Sequence, residues 1–333
     1  MIKVTALTSG RHAPASRFRV RQFIGPLAKR GIQVVEHSSL IDKYIAGHFP
    51  PLGFVTRFPG VLASRRGDIT WLERELIPGR RTIECLAGRK RVLDVDDAIW
   101  LLGQSGFSER IAGECEGVIA GNQFIANHYR DHARCVWVIP TSIETEVWKP
   151  SNRRCGENFT VGWIGSSSNL HFISVVEEPL SRFLAAHSDS ELLIVCNRKP
   201  SFSRIPLDRW RFVRWSPATD VELVGQMDVG LMPLEDTEWA RGKCAFKMIS
   251  YMSVGIPVIV SPVGVNAEIL RLGEVGFAAT TSSDWFDALC TLYVERDLAA
   301  KMGRQGRRIV ENHFSVAKNV DLLARVFQEV AAL

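Results

Sequence analysis

The sequence has 333 residues, about twice the usual size of one domain, so two domains are expected. Hydrophobic residues make up 46% and charged residues 23%, a composition that excludes disordered and fibrous proteins. No apolar run is long enough to span a bilayer, and the first residues lack the features of a signal peptide, so a cytoplasmic protein is predicted. Seven scattered cysteines without C-x-x-C spacing favour reduced thiols over disulfides or a zinc site.

The net charge of +5 is distributed unevenly. The first 150 residues contain 21 Lys and Arg against 15 Asp and Glu, whereas the remainder is close to neutral. This excess predicts an anionic partner for the first half, such as a membrane surface with phosphate-bearing lipid, although a solvated basic face fits equally well. Because the basic residues form small clusters that are not interleaved with aromatic residues, a nucleic-acid partner is not expected.

Strand-like and helix-like segments alternate through the first half of the chain. Residues 2–8 predict a strand, residues 17–30 a helix that ends at Gly31, and residues 122–132 a helix capped by Asn122. Further strands are predicted at 32–35, 68–72, 91–95, 117–120 and 135–139. Such alternation is typical of parallel sheets with right-handed crossovers. Residues 140–157 contain two prolines and no periodic pattern, which predicts an inter-domain linker.

The alternation begins again after this linker. Strands are predicted at 159–164, 192–195, 211–213, 229–232, 257–260 and 276–278, and helices at 177–186, 218–226, 245–254 and 285–294. The last segment, 315–333, is an amphipathic helix. The predicted fold is therefore α/β, with two doubly wound domains. In such sheets ligands bind outside the carboxyl ends of the strands, so we expect a cleft between the two domains.

The loop after the first strand contains a single glycine, Gly10, and therefore lacks the dinucleotide-binding G-x-G-x-x-G. A dehydrogenase is accordingly not expected. The same loop offers Ser16 as a helix cap, followed by Arg17 and Arg19. We expect Arg17 to hold a phosphate or an anionic acceptor, with a surface arginine as the alternative.

Residues 94–97 (Asp-Val-Asp-Asp) follow a predicted buried strand. Three carboxylates in four residues repel one another, which favours a metal site, a general base or a clamp on substrate hydroxyls. The functional candidates are Asp96 and Asp97. The alternative is structural: Asp97 would cap a helix and Asp94 would pair with Arg91 or Lys90.

Two segments of the second half predict an anion site. Gly165 and Ser166 end the first strand of that half, where small residues let backbone amides approach an anion. Lys243 and Lys247 are spaced four apart at a predicted helix start, so they would share one helix face. Two cations at the positive end of a helix dipole are unfavourable without an anion, which a diphosphate would supply. Arg214 and Trp215, beyond the third strand, are candidates for a nucleobase wall, with a core tryptophan as the alternative.

Residues 247–269 resemble the donor-site region of retaining GT-B glycosyltransferases of family 4, also called glycosyl transferases group 1. Further matching segments lie in the expected order at residues 16–19, 71–75, 94–100, 121–122, 140–143 and 162–166. The resemblance implies a Rossmann-like acceptor domain at 1–145, a Rossmann-like nucleotide-sugar domain at 158–314, and a C-terminal helix at 315–333 that crosses back to the first domain.

The resemblance also implies an activity, that of a hexosyltransferase-type enzyme (EC 2.4). It would move a sugar from a nucleotide-diphosphate donor, expected to be UDP-linked, to a hydroxyl acceptor that is lipid-linked or a glycan. No metal or other cofactor is expected, because lysines and helix dipoles neutralise the leaving diphosphate. The expected catalytic residues are Lys247, Lys243, Asp96 and Asp97. The expected substrate-binding residues are Arg17, Gly165, Ser166, Arg214, Trp215, Gly242, Cys244, Ala245, Phe246 and Ser250.

One departure from the family concerns a pair of glutamates eight positions apart. In this sequence their places are taken by Gly242 and Ser250. Ser250 is expected to contact the ribose, and the backbone near Gly242 to orient the donor. Two alternatives follow from the missing carboxylates and from the shared architecture: a non-catalytic subunit that binds nucleotide sugars, and a sugar-nucleotide 2-epimerase.

Overall fold

The computed structural model describes residues 1–11, 13–39, 50–150 and 158–333. The chain divides into two units. Unit 1 comprises Met1–Ser142, Arg241–Cys244 and Val316–Leu333, and unit 2 comprises Ile143–Ala240 and Ala245–Ser315. Within the described ranges each unit contains one parallel sheet of six strands. The predicted α/β fold with two doubly wound sheets is therefore confirmed.

The sheet of unit 1 has the strand order β2-β1-β3-β4-β5-β6. Its strands are β1 (Ile2–Thr8), β2 (Ile32–Ser38), β3 (Ile69–Glu73), β4 (Arg91–Val95), β5 (Gly117–Ala120) and β6 (Val136–Val138). Every residue of β3 is buried, as expected for a central strand covered on both faces. Since all pairings are parallel, the carboxyl ends of the strands meet at one edge, which collects Glu73, Asp94 and the loop after β1.

The helices of unit 1 are α1 (Ile24–Ala28), α2 (Pro50–Ser64), α3 (Phe107–Gly113), α4 (Gln123–Tyr129) and α13 (Val316–Ala332). The Asn122 cap of α4 is confirmed: its side chain accepts a hydrogen bond from the backbone of Ile125. The predicted helix at 17–30 is instead a π-helical turn (Ser16–Val20), a 3₁₀ turn (Arg21–Phe23) and α1.

The core of unit 1 contains one face of α13. Val320, Leu323, Phe327 and Val330 are buried there, and the ring of Phe327 meets Trp71 of β3 edge to face at 5.1 Å. Burial of such a stripe supplies the main driving force for docking a helix on a sheet. The spacing of these residues, read from the sequence, predicts the buried face.

The sheet of unit 2 has the order β12-β11-β10-β7-β8-β9. Its strands are β7 (Phe159–Gly165), β8 (Ser190–Cys196), β9 (Trp210–Arg214), β10 (Val229–Met232), β11 (Val258–Val260) and β12 (Gly276–Ala278). The strand order reverses at β7, which pairs with β8 on one side and with β10 on the other. Ligand sites in open α/β sheets occur at such a switch point.

The helices of the second half flank this sheet. They are α5 (Leu170–Ser174), α6 (Glu177–Ala186), α7 (Asp220–Val224), α8 (Glu238–Arg241), α9 (Phe246–Ser253), α10 (Val265–Leu270), α11 (Ser282–Val294) and α12 (Arg296–Ile309). A π-helical turn, Val310–Phe314, follows α12. None of the helices that the structure describes is long and apolar enough to cross a membrane.

The predicted linker at 140–157 is only partly described, because residues 151–157 lie outside the described ranges. Its first part is packed rather than free. Ile143 and Trp148 are buried, and the Ile143 amide donates to the carbonyl of Phe314 at 2.8 Å. Arg307 donates to the carbonyls of Thr145 and Trp148. The chain passes from unit 1 to unit 2 between Ser142 and Ile143, inside the predicted linker, and Arg307 binds the irregular backbone that follows to unit 2.

Candidate functional site

Lys247 lies against the end of the switch-point strand in unit 2. It occupies the first turn of α9, and its ammonium nitrogen is 5.7 Å from the centroid of the Trp163 ring. A Cβ atom at Gly165 would come within 2.9 Å of Lys247 Cε and within 2.6 Å of the Trp163 ring. Glycine is therefore required at Gly165 for the lysine to cross the end of β7.

Helix α9 begins with a strained residue. Ala245, its N-cap, has φ of 54°, a left-handed conformation that costs a non-glycine residue about 1–2 kcal/mol. The side chain of Ala245 makes no capping hydrogen bond, the first turn of α9 contains no acidic residue, and Lys247 adds a positive charge to the positive end of the helix dipole. Strain of this kind is often found at functional sites. An anion bound at this helix end would interact favourably with the helix dipole.

The loop after β7 carries a cluster of small polar side chains. Ser166 is exposed, its hydroxyl lies 2.8 Å from that of Ser168, and it accepts a hydrogen bond from the Asn169 amide. The backbone N–H of Ser167 donates to Asn197 at 2.7 Å. This network orders the loop beside Gly165, and it presents hydroxyl groups at the switch-point end of the sheet.

The expectation that Lys243 and Lys247 share one helix face is wrong. Helix α9 starts only at Phe246, because the left-handed Ala245 breaks the helical path before it. Lys243 precedes this break and lies in the segment Arg241–Cys244, which belongs to unit 1. Phe246 and Lys247 belong to unit 2. The structure therefore does not place the two lysines on one helix.

Two side chains and one close contact hold the segment Arg241–Cys244 in unit 1. The side-chain amide of Asn122 donates to the carbonyls of Gly242 at 3.0 Å and Lys243 at 3.4 Å. The buried Cys244 thiol donates to the carbonyl of Asp96 at 3.1 Å. A Cβ atom at Gly242 would lie 2.6 Å from Cβ of Ala98. The segment thus has no room for a glutamate at Gly242, the place of the first family carboxylate.

The three aspartates of residues 94–97 have separate environments. Asp94 is buried and receives hydrogen bonds from Arg19 at 2.8 Å and from the indole of Trp71 at 3.1 Å. Burial raises the pKa of Asp94 to about 6, although Arg19 acts to lower it. The expected pairing of Asp94 with Arg91 or Lys90 is wrong, because Arg19 reaches it from the neighbouring turn. A structural role for Asp94 fits this burial.

Asp96 and Asp97 are both partly exposed at the end of β4. Oδ1 of Asp96 is buried and accepts no hydrogen bond from any residue in the described ranges. Asp97 lies 3.4 Å from the guanidinium of Arg74. It does not cap the turn that follows, whose N-cap is Ala98, so that part of the structural alternative is wrong. Asp96 therefore keeps an acceptor for a substrate hydroxyl.

Arg74 was not predicted as a site residue. It has φ of 63°, and besides Asp97 it contacts Glu75 at 3.6 Å. Burial lowers the pKa of Arg74, but the carboxylates of Glu75 and Asp97 outweigh this and raise it. A left-handed arginine beside Asp97 positions that carboxylate. The sequence gives no signal for this conformation, since arginine has no preference for positive φ.

A second unpredicted group is the buried carboxylate of Glu73 at the end of β3. It accepts hydrogen bonds from the Ser9 amide at 2.7 Å, the Ser9 hydroxyl at 2.8 Å and the Ser16 hydroxyl at 2.5 Å. Burial raises the pKa of Glu73. The expected capping role of Ser16 is wrong: Ala15 is the N-cap of the π-helical turn, and the Ser16 hydroxyl serves Glu73 instead. These bonds fix the loop that precedes Arg17.

The remaining predicted residues lie in the turn after β1 and at the end of β9. Arg17 is partly exposed, with its guanidinium 4.8 Å from the Phe18 ring, whereas Arg19 is buried against Asp94. Arg214 is exposed at the end of β9, and the Trp215 amide donates to the carbonyl of Cys196 at 2.9 Å. Arg214 and Trp215 therefore sit at the same sheet edge as Gly165.

Ser250 is buried within α9. It is 1% exposed, and its hydroxyl donates to the carbonyl of Phe246 at 2.8 Å. The neighbouring Tyr251 also binds backbone groups: its hydroxyl accepts from the Ile164 amide at 3.0 Å and donates to the carbonyl of Leu231 at 3.2 Å. Tyr251 thus joins α9 to β7 and β10 and fixes the helix that carries Lys247. The sequence pattern did not predict that the Tyr251 hydroxyl is buried and forms these hydrogen bonds.

No group of His, Cys, Asp and Glu residues within the described ranges could hold a metal ion. The six described cysteines are free thiols. Burial raises the pKa of the Cys244 thiol, and the Asp96 carboxylate raises it further, so this thiol stays protonated and serves as a hydrogen-bond donor. The chemistry offered by these side chains is that of cations, carboxylates and hydroxyls.

Comparisons with known proteins agree with this fold. Residues 158–295 match the sequence model of the family described as "Glycosyl transferases group 1". The search of curated proteins found no match. Sucrose-phosphate synthase from Thermosynechococcus elongatus is similar in structure, with 16% identity, 99% of both chains covered and a TM-score of 0.72.

Two further solved structures are similar over nearly the whole chain. Anabaena Alr3699/HepE in complex with UDP-glucose has 15% identity over 99% of this chain and 100% of its own, with a TM-score of 0.73. WaaG, a glycosyltransferase involved in lipopolysaccharide biosynthesis, has 10% identity over 98% and 99%, with a TM-score of 0.67. At such identities the similarity establishes the fold.

Proposed function

Because residues 158–295 match the family model of glycosyl transferases group 1 and the fold resembles that of solved glycosyltransferases, we propose that the chain is a glycosyltransferase of this group that transfers a sugar from UDP-sugar to a hydroxyl acceptor with retention of configuration. The observation that carries the proposal is the position of Lys247. It lies in the first turn of α9, over Gly165, at the switch point of the unit 2 sheet. The complex of Anabaena Alr3699/HepE with UDP-glucose supports UDP as the donor nucleotide.

The proposed chemistry follows from the charges around α9. As the bond between the sugar and the diphosphate breaks, negative charge develops on the leaving phosphate. Lys247 and the positive end of the α9 dipole stabilise that charge, which lowers the barrier more than it favours the ground state. The proton of the acceptor hydroxyl passes to the leaving phosphate. The acceptor oxygen then forms the new bond on the face that the phosphate leaves.

Other residues of the proposed site have binding roles. The Gly165–Ser166 backbone adds donors to the diphosphate, and Arg214 with Trp215 lies at the same sheet edge as a wall for the base. In unit 1, Asp96 offers an unoccupied acceptor for a substrate hydroxyl, with Asp97 held by Arg74 beside it. Lys243 is proposed to add positive charge to the leaving diphosphate. No metal is required in this proposal, since the cations are supplied by side chains.

The proposal extends to the acceptor and its location. The basic excess of the first 150 residues supports an acceptor carried on an anionic membrane surface, and the free thiols support a cytoplasmic protein. The enzyme would then bind the membrane peripherally and transfer sugar to a lipid-linked or glycan hydroxyl.

The proposal is tested first by binding and turnover. UDP should bind in calorimetric titrations with and without magnesium, and radiolabelled UDP-sugars should be hydrolysed slowly or transferred. An absolute magnesium requirement for binding would contradict the metal-independent site. UDP binding without turnover would identify a non-catalytic subunit. The structure explains the missing carboxylate at Gly242, because there is no space for a side chain there. Formation of a new sugar nucleotide would identify an epimerase.

The second test is specific for Lys247. The Lys247→Ala variant should lose about 10²-fold in kcat, the effect of removing one group that stabilises transition-state charge. A matched control is Lys301→Ala, because Lys301 is an exposed lysine of the same unit, paired with Glu274 at 3.2 Å. Equal kcat for the Lys247→Ala and Lys301→Ala variants would remove Lys247 from the site.

A further inference from the structure

The charged side chain of helix α2 in unit 1 is buried inside the unit. Its sequence, PPLGFVTRFPGVLAS, contains one charged residue, Arg57, and that residue is buried. The Arg57 guanidinium donates to the carbonyls of Leu76 and Thr8, so its charge is used to bind backbone groups inside the unit. The outer face of α2 therefore has no charged side chain.

The outer face of α2 consists of large apolar side chains. Leu52 is 46% exposed, Val55 70%, Phe58 44% and Leu62 44%, at spacings of three and four residues that align them along one stripe. A helix that packs only against its own unit usually has charged residues on the side away from the core. A contiguous apolar stripe at the surface instead marks a docking surface.

A basic cavity begins where α2 ends. It has a volume of about 700 Å³, and Arg65, Arg89, Lys90 and Arg91 line it together with Asp68. Within the described ranges none of these four cations forms an ion pair with a carboxylate. Arg65, Lys90 and Arg91 donate hydrogen bonds to backbone carbonyls.

The apolar stripe and the cavity are continuous. Arg65 lies one residue beyond the end of α2 and donates to the carbonyl of Leu86, whose side chain is itself exposed. Arg66 is exposed beside Arg65. Apolar side chains and uncompensated cations therefore occur together on one surface of unit 1, made of Leu52, Val55, Phe58, Leu62, Arg65, Arg66 and Arg89; we call it the α2 surface.

We propose that the α2 surface binds a bilayer of anionic phospholipid. The apolar stripe would lie at the boundary between headgroups and acyl chains, and the arginines and the cavity would take lipid phosphate groups. This inference rests on the membrane-associated acceptor of the proposed function and names the residues that make the contact.

A bilayer fits the α2 surface better than a second copy of the chain. A two-fold contact brings the same patch of both subunits together, so the arginines of one copy would need carboxylates on the other. The outer face of α2 has none, and Asp68 already accepts a hydrogen bond from the Lys3 amide. An anionic bilayer supplies both the apolar boundary and the negative charge.

Vesicle flotation with the full chain tests the proposal. The protein should float with vesicles of phosphatidylcholine and phosphatidylglycerol at low salt and only weakly with phosphatidylcholine alone. Val55→Glu and Arg65→Glu should each lower the bound fraction about tenfold, by placing charge at the acyl boundary and by reversing a phosphate contact. Leu207→Glu is the matched control: Leu207 is 79% exposed in unit 2 and should have no effect.

Three outcomes would overturn the docking proposal. The first is no flotation with anionic vesicles at low salt, and the second is equal loss in the Val55→Glu and Leu207→Glu variants. The third is a dimer, seen by sedimentation without lipid, that Val55→Glu dissociates. UDP titration of Val55→Glu separates this proposal from the proposed function, because UDP affinity should be unchanged by a substitution on α2. If the unsubstituted chain binds UDP but does not float with anionic vesicles, only the bilayer contact is refuted; if it floats but does not bind UDP, only the donor site is refuted.

Discussion

The side chain of Asn122 has two roles, and the Asn122→Asp substitution separates them. Its Oδ1 atom accepts from the Ile125 amide at 2.9 Å and caps α4, while its Nδ2 group donates to the carbonyls of Gly242 and Lys243. Aspartate keeps the cap, because either carboxylate oxygen can accept. The second carboxylate oxygen of the aspartate would face the carbonyls of Gly242 and Lys243, which then lose their hydrogen-bond donor.

The expected loss can be worked from these contacts. Each hydrogen bond removed costs about 0.5–1.5 kcal/mol, and a carboxylate held against two carbonyls at a site 4% exposed to solvent adds a desolvation penalty. We expect a decrease of about 2–4 kcal/mol in the free energy of unfolding of the part of the chain that includes unit 1. UDP affinity should fall about tenfold, since the backbone that carries Lys243 loses its anchor.

The assay compares Asn122→Asp with Gln123→Glu in urea unfolding and UDP titration. Gln123 is the next residue on α4, and it is exposed, so its variant introduces the same charge without touching Gly242 or Lys243. Wild-type stability in Asn122→Asp would refute the reasoning about the two carbonyls. A destabilised variant with wild-type UDP affinity would show that the anchored Lys243 is not part of the donor site.

Three further expectations concern buried polar groups. Tyr251→Phe removes the hydroxyl that joins Ile164 and Leu231, so it should lower the free energy of unfolding by about 1–3 kcal/mol in urea titrations. An unchanged free energy of unfolding would show that these two hydrogen bonds do not stabilise the fold. The raised pKa of Glu73 means that wild-type stability should fall as pH rises from the unfolded value of 4.5 through the raised folded value, because the unfolded state loses its proton first. Glu73→Gln should remove this slope, and parallel stability profiles for the two proteins would refute the burial argument. Ser250→Glu should lower both the melting temperature and UDP affinity, because Ser250 is 1% exposed and the added carboxylate would be buried; tighter UDP binding at an unchanged melting temperature would instead support the expected ribose contact.

The sequence by itself determined the elements whose signals are local. Alternating apolar runs predicted β1 with its observed bounds, Ile2–Thr8, and the helix-period stripe of the last segment predicted which side of α13 is buried. The capping role of Asn122 was also predicted from the sequence, since capping depends on residues three positions apart. Gly165 and Lys247 were predicted at a strand end and at a helix start, and in the structure they are neighbours because such ends meet at one edge of a parallel sheet; their role in the donor site stays a prediction.

Only the tertiary structure decided the partners that are distant in sequence. Asp94 pairs with Arg19, 75 residues away, rather than with its neighbours Arg91 or Lys90, because the strand end and the turn after β1 meet only in the folded sheet. Likewise, Ser16 serves Glu73 instead of capping a helix. Ala98 leaves no space for a side chain at Gly242. The left-handed conformation of Ala245 separates Lys243 from α9. Local spacing carries no information on such contacts, since they depend on packing, burial and backbone strain that arise when the chain folds.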